Sequence, residues 1–248
     1  MIELTPADAG VAWLTLARPD KLNALDRAMT AALEDAVERV ATMSDVSVLV
    51  VAGRGRAFCA GNDIREMARL SRDEALALTT RQARLMERFA SLDQVTLAAV
   101  DGHALGGGLM LAIAQDLRIA SDRARFGLPE VTLGFTPAYG IARLLDVAGG
   151  GHARDLLLTG RVVRAPDAVR IGLVSRVVAP PTLEATARQW AAEIARLPRD
   201  GLAATKRCLA AIRRGEDARE PAAYAATLDT EAARARIQAF LDRHGKRE

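Results

Sequence analysis

The stretch that most limits what this chain can fold into is Val100-Asp101-Gly102-His103-Ala104-Leu105-Gly106-Gly107-Gly108-Leu109-Met110-Leu111-Ala112-Ile113-Ala114. It reads as a strand end, a bend at three consecutive glycines, and an apolar helix. A helix starting on such a bend leaves its first N–H groups without intrahelical partners, at the end where the helix dipole favours negative charge. Glycine has no Cβ, so a ligand can approach the backbone closely. The bend can hold an anion, or an oxygen that becomes one during a reaction. It can equally serve only to seat a helix against a strand, and alone it leaves both readings open.

The residues after the bend exclude other glycine motifs. A phosphate-cradling loop ends in Gly-Lys-Ser/Thr, whereas Gly108 is followed by Leu109 and Met110. The dinucleotide fingerprint needs its glycines after the first strand, but the first strand candidate, 11–17, runs into Arg18-Pro19-Asp20-Lys21. No Gly-x-Ser-x-Gly elbow occurs, and no His or Cys spacing suggests a metal. What remains is an uncharged carbonyl that gains charge in a transition state.

A second turn supports this. The β-branched apolar run 46–52 predicts a buried strand. It opens into Gly53-Arg54-Gly55-Arg56-Ala57-Phe58-Cys59-Ala60-Gly61-Asn62-Asp63, with a helix expected after it. Two glycine turns, each following a buried strand, can aim two N–H donors at one oxygen.

Periodicity supplies the frame. The sequence predicts a helix over 24–43, with Asp26 as its N-cap and Met29, Leu33, Ala36, Val37 and Val40 on one face. Strands are expected at 95–100 and 116–121. Strands alternating with helices indicate an α/β fold. After about Pro180 the chain turns helical: Leu183, Ala187, Trp190, Ile194 and Leu197 share one spacing, ended by Pro198. A second helix is expected over 202–214, and a third holding Tyr224, Leu228, Ile237, Phe240 and Leu241. These stripes are apolar enough to pack on the core or on another subunit.

Four segments now carry a family resemblance. Arg18-Pro19-x-Lys21-Leu22-Asn23-Ala24-Leu25, Ala57-Phe58-Cys59-Ala60-Gly61-x-Asp63-Ile64, Gly102-x-Ala104-Leu105-Gly106-Gly107-Gly108 and Phe126-Gly127-Leu128-Pro129-Glu130 resemble, in order and spacing, the crotonase or enoyl-CoA hydratase/isomerase superfamily. Leu158-Thr159-Gly160 and Gly172-Leu173-Val174 fit the same pattern. The resemblance implies a ββα spiral core over 1–180 and a C-terminal helical oligomerisation segment over 181–248, assembling trimers or hexamers. It implies an acyl-CoA thioester as substrate, with no cofactor beyond the coenzyme A of that substrate.

The resemblance also implies residue roles. The N–H groups of Asn62 and Gly107 form an oxyanion hole, and Glu130 is the catalytic acid/base. Ala60, Asn62, Asp63, Ile64, Gly107, Tyr139 and Lys21 belong to the substrate site, with Arg18, Lys21 and Lys246 as candidate contacts to coenzyme A phosphates. One position departs. Hydratases of the family that use two glutamates carry the second two residues after the third glycine, where this chain has Met110. A thioether cannot act as a base. Thr136-Pro137-Ala138-Tyr139-Gly140-Ile141 likewise replaces the usual glycine-rich segment. One-base chemistry survives both changes, so double-bond isomerisation is preferred, with hydration or noncatalytic acyl-CoA binding as alternatives.

Charge and composition add bounds. The formal net charge of +3 is mild, only three lysines occur, and aromatic residues make up 4%. Nucleic acid is therefore an unexpected partner. No 18-residue apolar run predicts a membrane span. Met1-Ile2-Glu3-Leu4 does not read as a signal peptide, and two cysteines make no disulfide framework, so a cytoplasmic protein is expected. Cys59 is expected to be a buried thiol rather than a nucleophile, and His103 a packing residue.

Overall fold

The computed structural model describes residues 1–216 and 220–244. Its strands are β1 (Ile2–Leu4), β2 (Val11–Leu16), β3 (Val48–Gly53), β4 (Ala57–Cys59), β5 (Val95–Val100), β6 (His103–Leu105), β7 (Leu117–Ser121), β8 (Arg125–Gly127), β9 (Val162–Arg164) and β10 (Arg176–Val178). Its helices are α1 (Arg27–Thr42), α2 (Ile64–Met67), α3 (Arg72–Ser91), α4 (Gly107–Ala114), α5 (Ile141–Thr159), α6 (Ala165–Arg170), α7 (Leu183–Ala195), α8 (Arg199–Arg213), α9 (Glu220–Leu228) and α10 (Glu231–His244).

The strands form two sheets. The large one has the order β1-β2-β3-β5-β7-β10, and the small one β4-β6-β8-β9. β2, β3, β5, β7 and β10 run parallel, as do β4, β6 and β8. Three successive units take the same path: a long strand of the large sheet, a short strand of the small sheet, then helix. They are β3-β4-α2/α3, β5-β6-α4 and β7-β8-α5. This is the ββα spiral, repeated in space without a repeat in sequence. Because β4, β6 and β8 lie side by side, the turns that leave them gather at one end of the small sheet.

Burial follows the two-residue period of the strands. Ala12, Leu14, Leu49, Val51, Ala98 and Val100 face the inner core with Phe58, Phe89 and all of α4 except its glycines. Val11, Trp13, Val48, Val50, Leu97 and Ile119 face the other way, under Leu183, Ala187 and Ala191 of α7. Exposing such residues would cost about 1.5–3 kcal/mol each, so α7 forms the second layer of the core. The Arg188 guanidinium lies 5.0 Å from the Trp13 ring centroid and pins α7 to β2.

The expected helix over 24–43 forms as Arg27–Thr42, with Asp26 accepting from Met29 N at the N-cap. The third tail helix is two, α9 and α10, divided at Asp229-Thr230. The side chains of Phe240 and Leu241, and the whole of Lys246, lie outside the described residues. α9 packs on α8 and α10 on α9, leaving Leu209, Ile212, Tyr224, Leu228 and Ile237 exposed. No described helix is long and apolar enough to cross a membrane. Cys59 is buried, and burial pushes its thiol up to about 12. His103 is exposed on β6 instead of packed, because side chains alternate along a strand and it is the buried Ala104 that turns inward.

Candidate active site

Both glycine turns are held by hydrogen bonds that leave particular N–H groups outside them. Leu25 N donates to Gly61 O at 2.8 Å, and Asp63 N donates to Leu25 O at 3.0 Å. This parallel bridge uses the groups on either side of Asn62, so the N–H of Asn62 itself points away from Leu25. Gly106 N donates to Gly127 O at 2.9 Å, and Met110 N to Gly106 O at 3.1 Å. Gly107 is the first residue of α4, so its N–H has no intrahelical acceptor. The turns adjoin: a Cβ on Gly61 would stand 3.4 Å from Gly107 N.

The first motif anchors the first turn. Asn23 is fully buried with φ +56°, accepts from Arg18 N at 2.9 Å, and donates to Ala57 O at 2.8 Å and Arg54 O at 3.0 Å. It ties the residues before α1 to the approach of β4, and the Leu25 bridge continues that tie to Asn62.

The three glycines make room for three different things. A Cβ on Gly106 would meet Glu130 Oε1 at 2.7 Å, one on Gly107 would meet Asn62 Oδ1 at 2.7 Å and Tyr139 Oη at 2.8 Å, and one on Gly108 would meet the backbone oxygen of Cys59 at 2.0 Å. Gly108→Ala is therefore expected to destabilise the protein severely, since two backbones cannot part. Gly106→Ala is expected to fold with a smaller loss of stability, from the strain of a side chain at φ +52°, and to displace the Glu130 carboxyl. Thermal melts together with turnover separate the two effects; equal melting temperatures for the pair would contradict this assignment.

The turns open on a cavity of about 390 Å³. Ala60, Gly61, Asn62 and Ile64 line it from the first turn, and Leu105, Gly106, Gly107 and Met110 from the second. Pro129, Glu130, Leu133, Phe135, Thr136, Pro137, Ala138 and Tyr139 line it from the segment between β8 and α5, and Met67 and Thr79 from α2 and α3. Glu130 sits in the 3-10 turn Pro129–Leu133. Burial raises its carboxyl above the ordinary range, and Oε2 is buried without a hydrogen-bond partner. Burial also raises the Tyr139 hydroxyl, with Cys59 and Glu130 adding to the shift. Among the described residues lining the cavity Glu130 is the one carboxylate. No cluster of metal-ligating side chains occurs among the described residues.

Of the residues expected at the site, Ala60, Asn62, Ile64, Gly107, Glu130 and Tyr139 line one cavity. Asp63 and Lys21 do not. Asp63 caps α2, accepting from Arg65 N at 3.0 Å and Glu66 N at 3.3 Å, and lies 3.6 Å from Arg18 Nη2. Lys21 is exposed in the turn before Asn23.

A family model described as enoyl-CoA hydratase/isomerase matches residues 6–244. The chain belongs to that family. It is 37% identical to the putative enoyl-CoA hydratase/isomerase YngF of Bacillus subtilis, over 98% of this chain and 95% of that one. It is 39% identical to a short-chain-enoyl-CoA hydratase of Clostridium acetobutylicum, over 74% of this chain and 71% of that one. The fold superimposes on an enoyl-CoA hydratase from Mycobacterium smegmatis with a TM-score of 0.92, at 32% identity, covering 98% of this chain and 96% of that one. The crotonase-like α/β architecture read from the four motifs is thus the fold of this protein, and it is an enzyme of the enoyl-CoA hydratase/isomerase superfamily.

Sequence reasoning missed Gln82 and Thr30. Asn62 Nδ2 donates to Gln82 Oε1 at 3.1 Å, and Gln82 Nε2 donates to Thr30 Oγ1 at 3.2 Å. Both residues are buried. The signal was present: Ser71 and Glu74 form a capping box at the start of α3, and Gln82 interrupts its apolar face at Leu78, Leu85, Met86 and Phe89. A polar residue on a buried helix face needs a partner.

Proposed function

We propose that the protein isomerises 3-enoyl-CoA thioesters to the conjugated 2-enoyl thioesters, with Glu130 as the single acid/base. The observation that carries this reading is the single carboxylate among the described residues that line the cavity, with Met110 at the position of the second glutamate of two-glutamate hydratases.

The residues supply each step. The thioester oxygen accepts from the N–H groups of Asn62 and Gly107. The ionised carboxylate of Glu130 removes a proton from C2, and the electron pair spreads over the dienolate onto that oxygen. Each donor stabilises the charge by about 3–4 kcal/mol, judged from measured oxyanion holes. The protonated Glu130 then returns the proton at C4, leaving the double bond between C2 and C3. Burial of Glu130 raises its pKa toward the working pH and strengthens it as a base. The apolar surface of Ile64, Met67, Leu105, Leu133 and Phe135 suits an acyl chain. Coenzyme A enters as part of the substrate, so no separate cofactor is invoked.

Hydration is the second reading, supported by the hydratase names of the relatives. One experiment separates the two: a panel of CoA thioesters incubated with the protein in deuterated water and monitored by mass spectrometry. We expect 3-enoyl thioesters to be converted with deuterium uptake and little 3-hydroxyacyl product. Hydration faster than double-bond migration would overturn the isomerase reading, and failure to bind any thioester by calorimetry would overturn the acyl-CoA reading.

We further propose that the helical segment 181–248, after Pro180, assembles the chain into a trimer or hexamer in the cytoplasm. The exposed apolar residues Leu209, Ile212, Tyr224, Leu228 and Ile237 support it, since a lone chain would leave them in water. Sedimentation is expected to show a homo-oligomer at micromolar concentration; a monomer with and without ligand would refute it.

A further inference from the structure

A second cavity, of about 250 Å³, opens at the C-terminal end of α4, the end opposite Gly107. Its charged lining is Asp116, Arg118, Arg143, Asp146, Lys206 and Arg213. Three of the cations are gathered on three consecutive residues. Arg143 Nη1 donates to Ala114 O at 3.1 Å, Arg118 Nη1 donates to Gln115 O at 2.8 Å, and Lys206 Nζ lies 2.7 Å from Asp116 Oδ2. Arg118 is 8%, Arg143 9% and Lys206 5% exposed. Orphan carbonyls at a helix C-terminus attract positive charge, which places these groups but does not neutralise them.

The carboxylates nearby are committed elsewhere. Asp116 Oδ2 serves Lys206 and also accepts from Thr96 N and Thr96 Oγ1. Glu87 accepts from Arg213 at 2.9 and 2.6 Å, and reaches Arg143 Nη2 only at 3.5 Å. Asp93 pairs with Arg207 at 2.6 Å, and Asp146 is exposed. Arg118 bonds backbone carbonyls alone, Leu173 O through Nε at 2.6 Å and Gln115 O through Nη1. Two guanidinium groups, each about nine-tenths buried, are left without a carboxylate of their own. Arg143 Nη2 is buried without a hydrogen bond, and so is Gln115 Oε1, whose amide is fixed because Nε2 donates to Leu111 O at 2.9 Å. Burial lowers the Arg118 guanidinium to about 10, with Asp116 opposing the shift and Arg143 adding to it. Burial likewise lowers Arg143 and Lys206. Buried cations that repel one another are costly, and a guanidinium edge matches an oxyanion.

We propose that this cavity is a second binding site, for a small oxyanion of the phosphate class, held by Arg118 and Arg143 with Lys206 beside them. Hydrogen phosphate brings bare oxygens for the guanidinium groups and a hydroxyl for Gln115 Oε1, an acceptor that chloride cannot satisfy. The site shares α4 with the catalytic cavity but none of its lining residues, so it stands independently of the acyl-CoA reading.

The test titrates inorganic phosphate into the protein by calorimetry at pH 7, with sodium chloride holding the ionic strength constant, in the presence and absence of butyryl-CoA. We expect saturable binding of one phosphate per chain, unchanged by the thioester. Phosphate should also raise the melting temperature above that in chloride of equal ionic strength. Arg118→Gln and Arg143→Gln should each weaken phosphate binding about tenfold or more, as the loss of a charge-assisted hydrogen bond does, and should remove the phosphate-dependent rise in melting temperature. Arg154→Gln, on the exposed face of α5, should leave both unchanged. Full phosphate affinity in both cavity variants overturns the inference. If neither variant folds, the parent decides alone: binding that does not saturate, that butyryl-CoA abolishes, or that chloride matches in the melts overturns it. Binding of butyryl-CoA is read separately in the same titrations, so failure of the acyl-CoA reading is not mistaken for failure of this one.

Discussion

Glu130→Gln is expected to lower turnover of a 3-enoyl-CoA by about 10²- to 10⁴-fold, the range that general acid–base catalysis contributes, while thioester binding persists. Glutamine keeps the shape and loses only the proton carrier. The donors proposed for the thioester oxygen, the backbone N–H groups of Asn62 and Gly107, are untouched. Steady-state kinetics with calorimetry checks the split, and full activity in the variant would remove Glu130 from the mechanism whatever the reaction proves to be.

The same variant carries a stability signature of opposite sign. Burial raises the Glu130 pKa, so the folded chain holds that proton more tightly than the unfolded chain does. As pH rises past the unfolded value of about 4.3, the unfolded chain ionises first. Stability then falls until the folded pKa is passed, and the deficit is constant above it. Glutamine has no proton to lose. The variant should melt above the parent at pH 7, and the gain should shrink as pH falls from the folded pKa toward the unfolded value and be gone below it. A loss of catalysis joined to a gain in stability marks a group held in an unfavourable environment for its chemistry.

The residues that line the cavity were legible where they stand in strand-turn segments with glycine. Asn62, Gly107 and Glu130 were read from such segments, and each lines the cavity. Chain direction, burial and turn geometry are local there, so the order of residue types carries them. Asp63 shows the limit. It belongs to the same motif, but its carboxylate is taken up in capping α2, and adjacency in sequence did not separate a cap from a ligand contact. The chain of Thr30, Gln82, Asn62 and Tyr139 joins its elements through contacts of 52, 20 and 77 residues' separation, which no local pattern encodes. The break between α9 and α10 was hidden for a different reason: Thr230 Oγ1 accepts from Ala233 N and restarts the helix, a local device overlooked beneath a continuing apolar spacing.

Met110→Glu is expected to create or increase hydration of 2-enoyl-CoA at the expense of stability. Met110 is 2% exposed, lines the cavity from α4 and packs its sulfur against Gly140, where a Cβ would stand 2.5 Å from Sδ. A carboxylate there faces the same space as Glu130. Two carboxylates across one substrate allow one to take a proton from water while the other serves C2, which a single carboxylate and a thioether cannot do together. The new group enters an apolar helix with no described cation lining the cavity, so its charge is poorly compensated and its pKa is pushed up. Burying such a group costs about 2–4 kcal/mol, and the loss should deepen as pH rises and the carboxyl ionises. Glu130 would be affected as well, because a second anion nearby raises its pKa further and moves the rising limb of the pH–rate profile to higher pH. The measurement is the ratio of 3-hydroxyacyl product to migrated double bond, read by mass spectrometry on material shown by circular dichroism to be folded. A folded variant whose ratio equals that of the parent would show that Met110 does not decide between the two reactions, and the isomerase reading would lose the observation on which it stands.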